Sequence, residues 1–133
     1  MIVDTSAVVA ILLDEPERRQ FLTVIATAPV VRISVGSVIE TTIVAIRSRK
    51  FDPDFVDRLI TRFGVEIVPV TLEQAQLARA AYRTYGRGTG HPARLNFGDC
   101  FAYALAKATG EPLLFKGDDF AATDVVPAVP TGR

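Results

Sequence analysis

The chain alternates between two hydrophobic patterns. Short apolar runs, typical of buried strands, are separated by longer segments in which apolar residues recur every three or four positions, as they do along one face of a helix. Proline, glycine and small polar residues mark most of the boundaries between these segments. The pattern predicts strands at residues 1–3, 30–34, 65–70, 113–115 and 124–126, and helices at residues 5–13, 14–28, 35–46, 53–63, 72–85 and 97–109.

Strands that alternate with helices indicate an α/β fold, in which helices cover both faces of a central, mostly parallel sheet of four or five strands. We expect residues 1–133 to form a single domain, because the chain is long enough for one hydrophobic core and shows no internal repeat or low-complexity segment. In such folds, ligands bind at the carboxyl ends of the strands.

Acidic residues follow two of the predicted strands. Asp4 comes directly after the first strand, Asp118 and Asp119 come shortly after the fourth, and Asp99 opens the helix that leads into the fourth. Because parallel strands end at the same edge of a sheet, these carboxylates are expected to converge. Carboxylates without histidine or cysteine partners favour a hard cation such as Mg²⁺ or Mn²⁺. The hydroxyl group of Ser6 is placed to orient a carboxylate or a water beside Asp4.

Each acid taken alone also has a simpler explanation. Asn96 is a suitable N-cap, which places Asp99 in the first helical turn, where a carboxylate compensates the helix dipole. Glu40 lies away from the apolar stripe of its predicted helix, so a solvated surface glutamate explains it equally well. Periodicity therefore does not select Glu40, whereas the expected convergence of the other acids favours a cation site over separate caps and turns.

Composition limits the setting in which the protein works. Hydrophobic residues make up 49% of the chain, yet no apolar run approaches the roughly 18–20 residues of a membrane span. No basic-then-apolar leader precedes Asp4, so we expect a cytoplasmic protein without membrane contact. The apolar excess indicates that a partner or a second copy covers part of the surface, and the helices near residues 7–13 and 35–46 are the predicted faces.

The single cysteine and the single histidine do not indicate a metal site. Cys100 excludes an internal disulfide and any multi-cysteine zinc site, and its helical position predicts a buried thiol. His91 lies in a loop rich in glycine and proline, with no second histidine to share a metal, so a solvated loop residue is expected.

Positive charge is concentrated locally. The net charge is zero, so the molecule as a whole has no field that would attract a polyanion. The segment between Gln74 and Gly98, however, contains no acidic residue. Arginine forks bind phosphate well, and the glycine-rich loop at residues 86–92 would allow close backbone approach. Tyr82 is expected to belong to the core. The arginines of this segment are Arg79, Arg83, Arg87 and Arg94.

Four segments occur in an order and at a length that match a known family. They are residues 2–7 (IVDTSA), 38–40 (VIE), 96–106 (NFGDCFAYALA) and 112–120 (PLLFKGDDF). Together they resemble the PIN-domain ribonucleases, and most closely the VapC-type toxins of bacterial toxin–antitoxin pairs. The resemblance implies a compact PIN-like α/β/α sandwich, Mg²⁺- or Mn²⁺-dependent endonuclease activity on RNA, homodimers, and inhibition by a cognate VapB-type antitoxin.

The resemblance also assigns roles by position. Asp4, Glu40 and Asp99 match the three main acidic residues of the family, and Ser6 matches the hydroxyl position that follows the first. The family usually has an aspartate where this chain has Gly117. We therefore expect one of the two following aspartates to be the fourth acid, with Asp118 preferred over Asp119.

The predicted function is hydrolysis of RNA phosphodiester bonds. Asp4 and Asp99 would hold the metal, Glu40 and Asp118 would complete its shell or position the attacking water, and Ser6 would orient that shell. The candidate RNA contacts are Arg83, Arg87 and Arg94.

Two alternatives remain open. The altered fourth acid at Gly117 is compatible with an RNA-binding or regulatory module that has an incomplete metal site. A haloacid-dehalogenase-like phosphatase also begins with a strand and an acid, but its Asp-x-Asp pair would need an aspartate where this chain has Ser6.

Overall fold

The computed structural model describes residues 1–130 and contains one sheet of four short strands. All strand pairs are parallel, in the order β3-β2-β1-β4, so the first strand is central. This arrangement confirms the expected parallel sheet. The strands are β1 (Ile2–Val3), β2 (Arg32–Ser34), β3 (Glu66–Val68) and β4 (Leu113–Leu114).

Six α-helices flank the sheet, and a short 3-10 helix, Phe120–Ala122, follows β4. None of the helices within residues 1–130 is long and apolar enough to cross a membrane. The helices are α1 (Thr5–Leu12), α2 (Arg18–Thr27), α3 (Val35–Ser48), α4 (Asp54–Phe63), α5 (Leu72–Tyr85) and α6 (Asp99–Thr109).

The sheet separates two hydrophobic clusters. Ile2 and Leu113 pair in register and pack into one cluster with α5 and α6, whereas their neighbours Val3 and Leu114 pack into the other with α1 and α2. Successive strand residues point to opposite faces, so each two-residue strand contributes to both layers. The result is the α/β/α sandwich that the sequence pattern predicts.

The predicted fifth strand at residues 124–126 is absent. Its place is taken by a single parallel bridge between Leu113 and Pro127, in which the Leu113 amide donates to the Val126 carbonyl and the Ala128 amide donates to the Leu113 carbonyl. Proline has no amide hydrogen to extend the ladder. The predicted helix start at residue 14 is also wrong. Residues 13–17 form turns, with Asp14 in the left-handed region at φ 53°.

The two predicted partner faces differ in exposure. The residues of α1 near 7–13 are mostly buried in the protein's own core, so the prediction for that helix is wrong. Helix α3, in contrast, exposes 56% of Ile39, 47% of Ile43 and 59% of Ile46. Helix α3 therefore carries three exposed isoleucines, and this part of the prediction agrees with the structure.

Replacing Leu114 by alanine tests the two-layer core. Leu114 is fully buried in β4, so Leu114→Ala is expected to lower the free energy of unfolding by roughly 2–5 kcal/mol in urea denaturation. Leu72→Ala is the matched control, because Leu72 is 78% exposed and its loss should change that free energy by about 0.5 kcal/mol or less. Equal losses in the two variants would contradict the described packing.

Candidate active site

Asp4 lies where the central strand ends and α1 begins. Its backbone amide donates to the Leu114 carbonyl (3.0 Å), and its side chain caps α1 by accepting from the Ser6 amide at Oδ2 (2.9 Å). The residue is 1% exposed, and no donor among residues 1–130 reaches its second oxygen, Oδ1. A buried carboxylate oxygen without a donor costs free energy, so Asp4 is suited to binding a cation.

Asp99 and Asn96 form a reciprocal cap at the start of α6. The Asp99 amide donates to the Asn96 side chain, and the Asn96 amide donates to Asp99 Oδ2, both at 2.9 Å. The simpler explanation of Asp99 as a capping residue is therefore correct for one of its oxygens. The cap fixes the carboxylate in a half-buried position without using its other oxygen, Oδ1.

Glu40 reaches the same site from α3. Its carboxylate packs so closely on the backbone just before Asp99 that a methyl group at position 98 would overlap it, which explains the glycine there. Glu40 is half-buried rather than a freely solvated surface residue. Helical periodicity could not reveal this contact, because it depends on the packing of α3 against α6. The family resemblance alone pointed to it.

The electrostatics show that these acids share one site. Burial, together with the smaller effects of the negative charges of Asp99 and Glu40, raises the pKa of Asp4 to about 7. Burial likewise raises the pKa of Asp99 to about 6, with additional contributions from Asp119 and Glu40. Because each carboxylate disfavours ionisation of its neighbours, a divalent cation would stabilise the charged form of the group.

The two candidates for the fourth acid lie differently. The charge of Asp119, at the start of the 3-10 helix, acts on Asp99. Asp118 lines a separate cavity of about 280 Å³ between α2 and the loop after β4, together with Glu17 and Gln20. The charge of Asp119 therefore reaches Asp99, which supports Asp119 as a fourth acid, and the preference of the sequence analysis for Asp118 stays a prediction.

Ser6 joins the ends of β1 and β4. Its amide binds Asp4, and its hydroxyl oxygen accepts from the Lys116 amide (3.0 Å). Hydrogen bonding by Ser6 partly offsets the rise that burial causes in the pKa of Asp4. The sequence analysis expected Ser6 to orient the Asp4 carboxylate. The amide of Ser6 is placed to do so.

Among the arginines predicted to contact RNA, Arg87 is the one whose charge acts on Asp99. Its positive charge lowers the pKa of Asp99. The loop that carries it is tied down, since the Arg87 amide donates to the Leu95 carbonyl (2.9 Å) and the Tyr82 hydroxyl donates to the Arg87 carbonyl (3.2 Å). Arg83 and Arg94 are exposed. Tyr82 is 40% exposed, so the prediction that it belongs to the core is wrong. Its hydroxyl instead binds the backbone of the loop that carries Arg87.

Cys100 and His91 have structural contacts. Cys100 is buried, as predicted, and its thiol donates to the Asn96 carbonyl (3.4 Å). His91 is half-buried rather than fully solvated. Its Nδ1 accepts from the Ala93 amide (3.0 Å), and its ring packs edge-on against Tyr85.

The acidic site fits a hydrated divalent cation. Among residues 1–130, no three acidic, histidine or cysteine side chains lie together so that they could hold a metal ion by themselves. Mg²⁺ does not require one, because it usually retains several waters and binds through one or two carboxylates. The donor-free oxygen of Asp4, beside the negative charges of Asp99 and Glu40, provides that kind of partial shell.

Comparison with known proteins identifies the family and agrees with this fold. The PIN-domain sequence profile matches residues 1–126, and the chain belongs to the PIN-domain family. Within the family, the chain is 48% identical over 131 residues to ribonuclease VapC42 of Mycobacterium tuberculosis, an alignment that covers 96% of this chain and 98% of that protein. The resemblance to VapC-type proteins is thereby confirmed.

Solved structures show the same fold. The crystal structure of M. tuberculosis VapC20, described as a sarcin-ricin loop cleaving toxin, superposes with a TM-score of 0.71 at 22% identity, covering 94% of this chain and 95% of that one. A toxin–antitoxin complex from Klebsiella pneumoniae gives a TM-score of 0.69 at 20% identity, covering 96% and 97% of the two chains. The predicted PIN-like α/β/α sandwich is therefore confirmed.

The raised pKa of Asp4 predicts how stability depends on pH. In the unfolded chain this carboxyl ionises near 3.8, but in the folded protein near 7, so the folded state binds more protons between these values. Asp4 therefore makes the metal-free protein less stable as pH rises from about 4 to about 7. Asp4→Asn should raise the melting temperature near pH 8, and the gain should disappear near pH 4.

Thermal denaturation of wild type and variant in chelator measures this difference. The control is Asp57→Asn, which removes an exposed carboxylate of α4 and should not raise the melting temperature near pH 8. A melting-temperature difference between Asp4→Asn and wild type that did not change with pH would contradict the burial described for Asp4.

Proposed function

We propose that this protein is a metal-dependent endoribonuclease that acts as the toxin of a toxin–antitoxin pair and cleaves RNA in the cytoplasm. The observation that carries the proposal is the buried carboxylate of Asp4, with one donor-free oxygen, beside Asp99 and Glu40 at the carboxyl edge of the sheet. Its close relative VapC42 is named a ribonuclease, and an acidic site of this kind suits hydrolysis of a phosphodiester.

Each side chain has a proposed role at the metal. Asp4 Oδ1 and the Asp99 carboxylate would hold Mg²⁺ or Mn²⁺, while the Ser6 amide keeps Asp4 in position. Glu40 and Asp119 add negative charge around Asp99 and would accept hydrogen bonds from metal-bound water. The cation would activate water and neutralise charge on the phosphodiester. As the water oxygen bonds to phosphorus it would lose a proton to a carboxylate or to solvent, and the leaving oxygen, as its bond to phosphorus breaks, would take up a proton from solvent.

Arg87 is the proposed phosphate contact closest to the acids, with Arg83 and Arg94 extending the positive surface. Its guanidinium is close enough to act electrostatically on Asp99, so a phosphate bound by it would lie beside the acidic site. The backbone contacts of its loop keep this arginine positioned before RNA arrives.

The proposed protein partners are a VapB-type antitoxin and a second copy of the chain. A groove of about 720 Å³ lies between α3 and the start of α6 and has Glu40 in its lining. Ile39, Ile43 and Phe97 line it and are 56%, 47% and 77% exposed, which is unusual for an isolated protein. An antitoxin segment bound there would cover this apolar surface and adjoin the active site.

The direct test is cleavage of total RNA by the purified protein with Mn²⁺ and with chelator. We expect cleavage only with the metal. Asp4→Asn and Asp99→Asn should each reduce the rate at least about 1,000-fold, the equivalent of roughly 4 kcal/mol, because each removes a proposed metal ligand. Asp57→Asn, which removes an exposed carboxylate of α4, should cleave as the wild type does.

RNA binding by the same variants separates catalysis from binding alone. Retained binding without cleavage in Asp99→Asn is the expected result. RNA binding by the wild type without metal-dependent cleavage would favour a regulatory module. Hydrolysis of a small phosphomonoester without cleavage of RNA would favour a phosphatase, and either outcome would contradict the proposal.

Neighbouring aspartates allow a matched test of the fourth acid. Asp119→Asn is expected to raise the Mn²⁺ concentration for half-maximal cleavage by about ten- to a hundredfold, the range typical of groups around a metal site. Asp118→Asn makes the same chemical change one residue earlier and should have a much smaller effect, because Asp118 lines the cavity beside α2. A larger effect of Asp118→Asn would contradict this assignment and would identify Asp118 as the fourth acid.

A further inference from the structure

Lys116 lies two residues after the end of β4, where the chain leads to Asp118 and Asp119, and the proposed mechanism does not use it. Its ammonium group contacts the Glu15 carboxylate and lies 3.1 Å from Glu17 Oε2. Both glutamates belong to the turn between α1 and α2, on either side of Pro16. The Lys116 side chain therefore connects the loop after β4 to the turn between α1 and α2.

The backbone of the same residue supports the active site. The Lys116 amide donates to the Ser6 hydroxyl oxygen (3.0 Å), and the Ser6 amide donates to Asp4 Oδ2 (2.9 Å). Lys116 is thus held by the ion pairs of its side chain, and its backbone is connected through Ser6 to the buried carboxylate of Asp4. Movement of Lys116 would displace the group that orients Asp4.

Gly117, the residue after Lys116, lies at a bend in the loop that leads to Asp119. Gly117 has φ +97°, a backbone conformation that L side chains rarely adopt, so the chain bends here in a way that favours glycine. Asp119, whose charge acts on Asp99, lies just beyond this bend. A loop with a glycine at its bend needs a fixed starting point if the following acid is to stay beside the metal site.

The two glutamates are poorly satisfied without the lysine. Both side chains are about 30% exposed, and no donor among residues 1–130 makes a hydrogen bond of good geometry to Glu17 Oε2. The positive charge of Lys116 therefore compensates two neighbouring carboxylates that would otherwise repel each other. Loss of the ammonium group would remove both ion pairs that connect the loop after β4 to the α1–α2 turn.

We propose that Lys116, held between Glu15 and Glu17, is a positioning residue for the metal site. It fixes Ser6, and through Ser6 the Asp4 carboxylate, and it directs the loop that carries Asp119. The inference rests on the proposed function in that the site it positions is the proposed Mg²⁺ or Mn²⁺ site.

Lys116→Met is the informative variant, because it keeps the length of the side chain and removes the charge. By Coulomb attraction alone, loss of a positive charge near the acids would strengthen divalent-cation binding. Positioning predicts the opposite: about a tenfold higher Mn²⁺ concentration for half-maximal cleavage, with the maximal rate at saturating Mn²⁺ largely retained. Lys116→Arg keeps the charge and should restore most of the affinity.

Lys107→Met is the matched control. Lys107 forms an ion pair with Asp124 at 3.0 Å, and its side chain has the same 35% exposure as that of Lys116, but it lies near the end of α6 and supports no acid of the site. Lys107→Met should lower the melting temperature without changing the dependence of cleavage on Mn²⁺.

A second readout does not require cleavage. Mn²⁺ should raise the melting temperature of the wild type and of Lys107→Met, and about tenfold more Mn²⁺ should be needed for the same rise in Lys116→Met. If the wild type responds to Mn²⁺ in this way but cleaves no RNA, the proposed function fails while the positioning role remains testable. Unchanged or tighter Mn²⁺ binding in Lys116→Met, or no response in the wild type, would overturn the inference.

Discussion

The burial of the Asp4 carboxylate at the end of the central strand is the constraint on which the rest of the site depends. One oxygen is held by the Ser6 amide, and the other has no donor among residues 1–130. Burial of a charge in this way is unfavourable, and the negative charges of Asp99 and Glu40 add to it. A divalent cation would bind the donor-free oxygen of Asp4 and would offset the repulsion among the three carboxylates. The site is therefore suited to binding such an ion.

The fold creates this arrangement with few residues. The parallel order β3-β2-β1-β4 places Asp4 at the carboxyl end of the middle strand, beside the loop that follows β4. Helix α6 supplies Asp99 through its cap with Asn96, and α3 supplies Glu40 through its close packing on Gly98. Each acid is held by a local interaction that would exist without a metal, so the site is largely formed in advance.

The sequence predicted the parts of the site that follow from chain order, and it missed those that depend on tertiary packing. Asp4 and Asp99 could be found because strand ends and helix starts determine their positions. Glu40 could not, since its contact depends on how two helices pack. The choice between Asp118 and Asp119 depends on the backbone turn at Gly117, which residue types do not fix. The fifth strand was overpredicted because local apolar character does not reveal pairing.

The most direct test of the account is the position of Mn²⁺ in crystals of the protein soaked with that ion, located by its anomalous scattering. We predict a peak at bonding distance from Asp4 Oδ1, with the Asp99 carboxylate as its nearest other protein ligand. A peak elsewhere, or no peak together with a protein donor bound to Asp4 Oδ1, would contradict the central claim that this buried oxygen is a metal ligand.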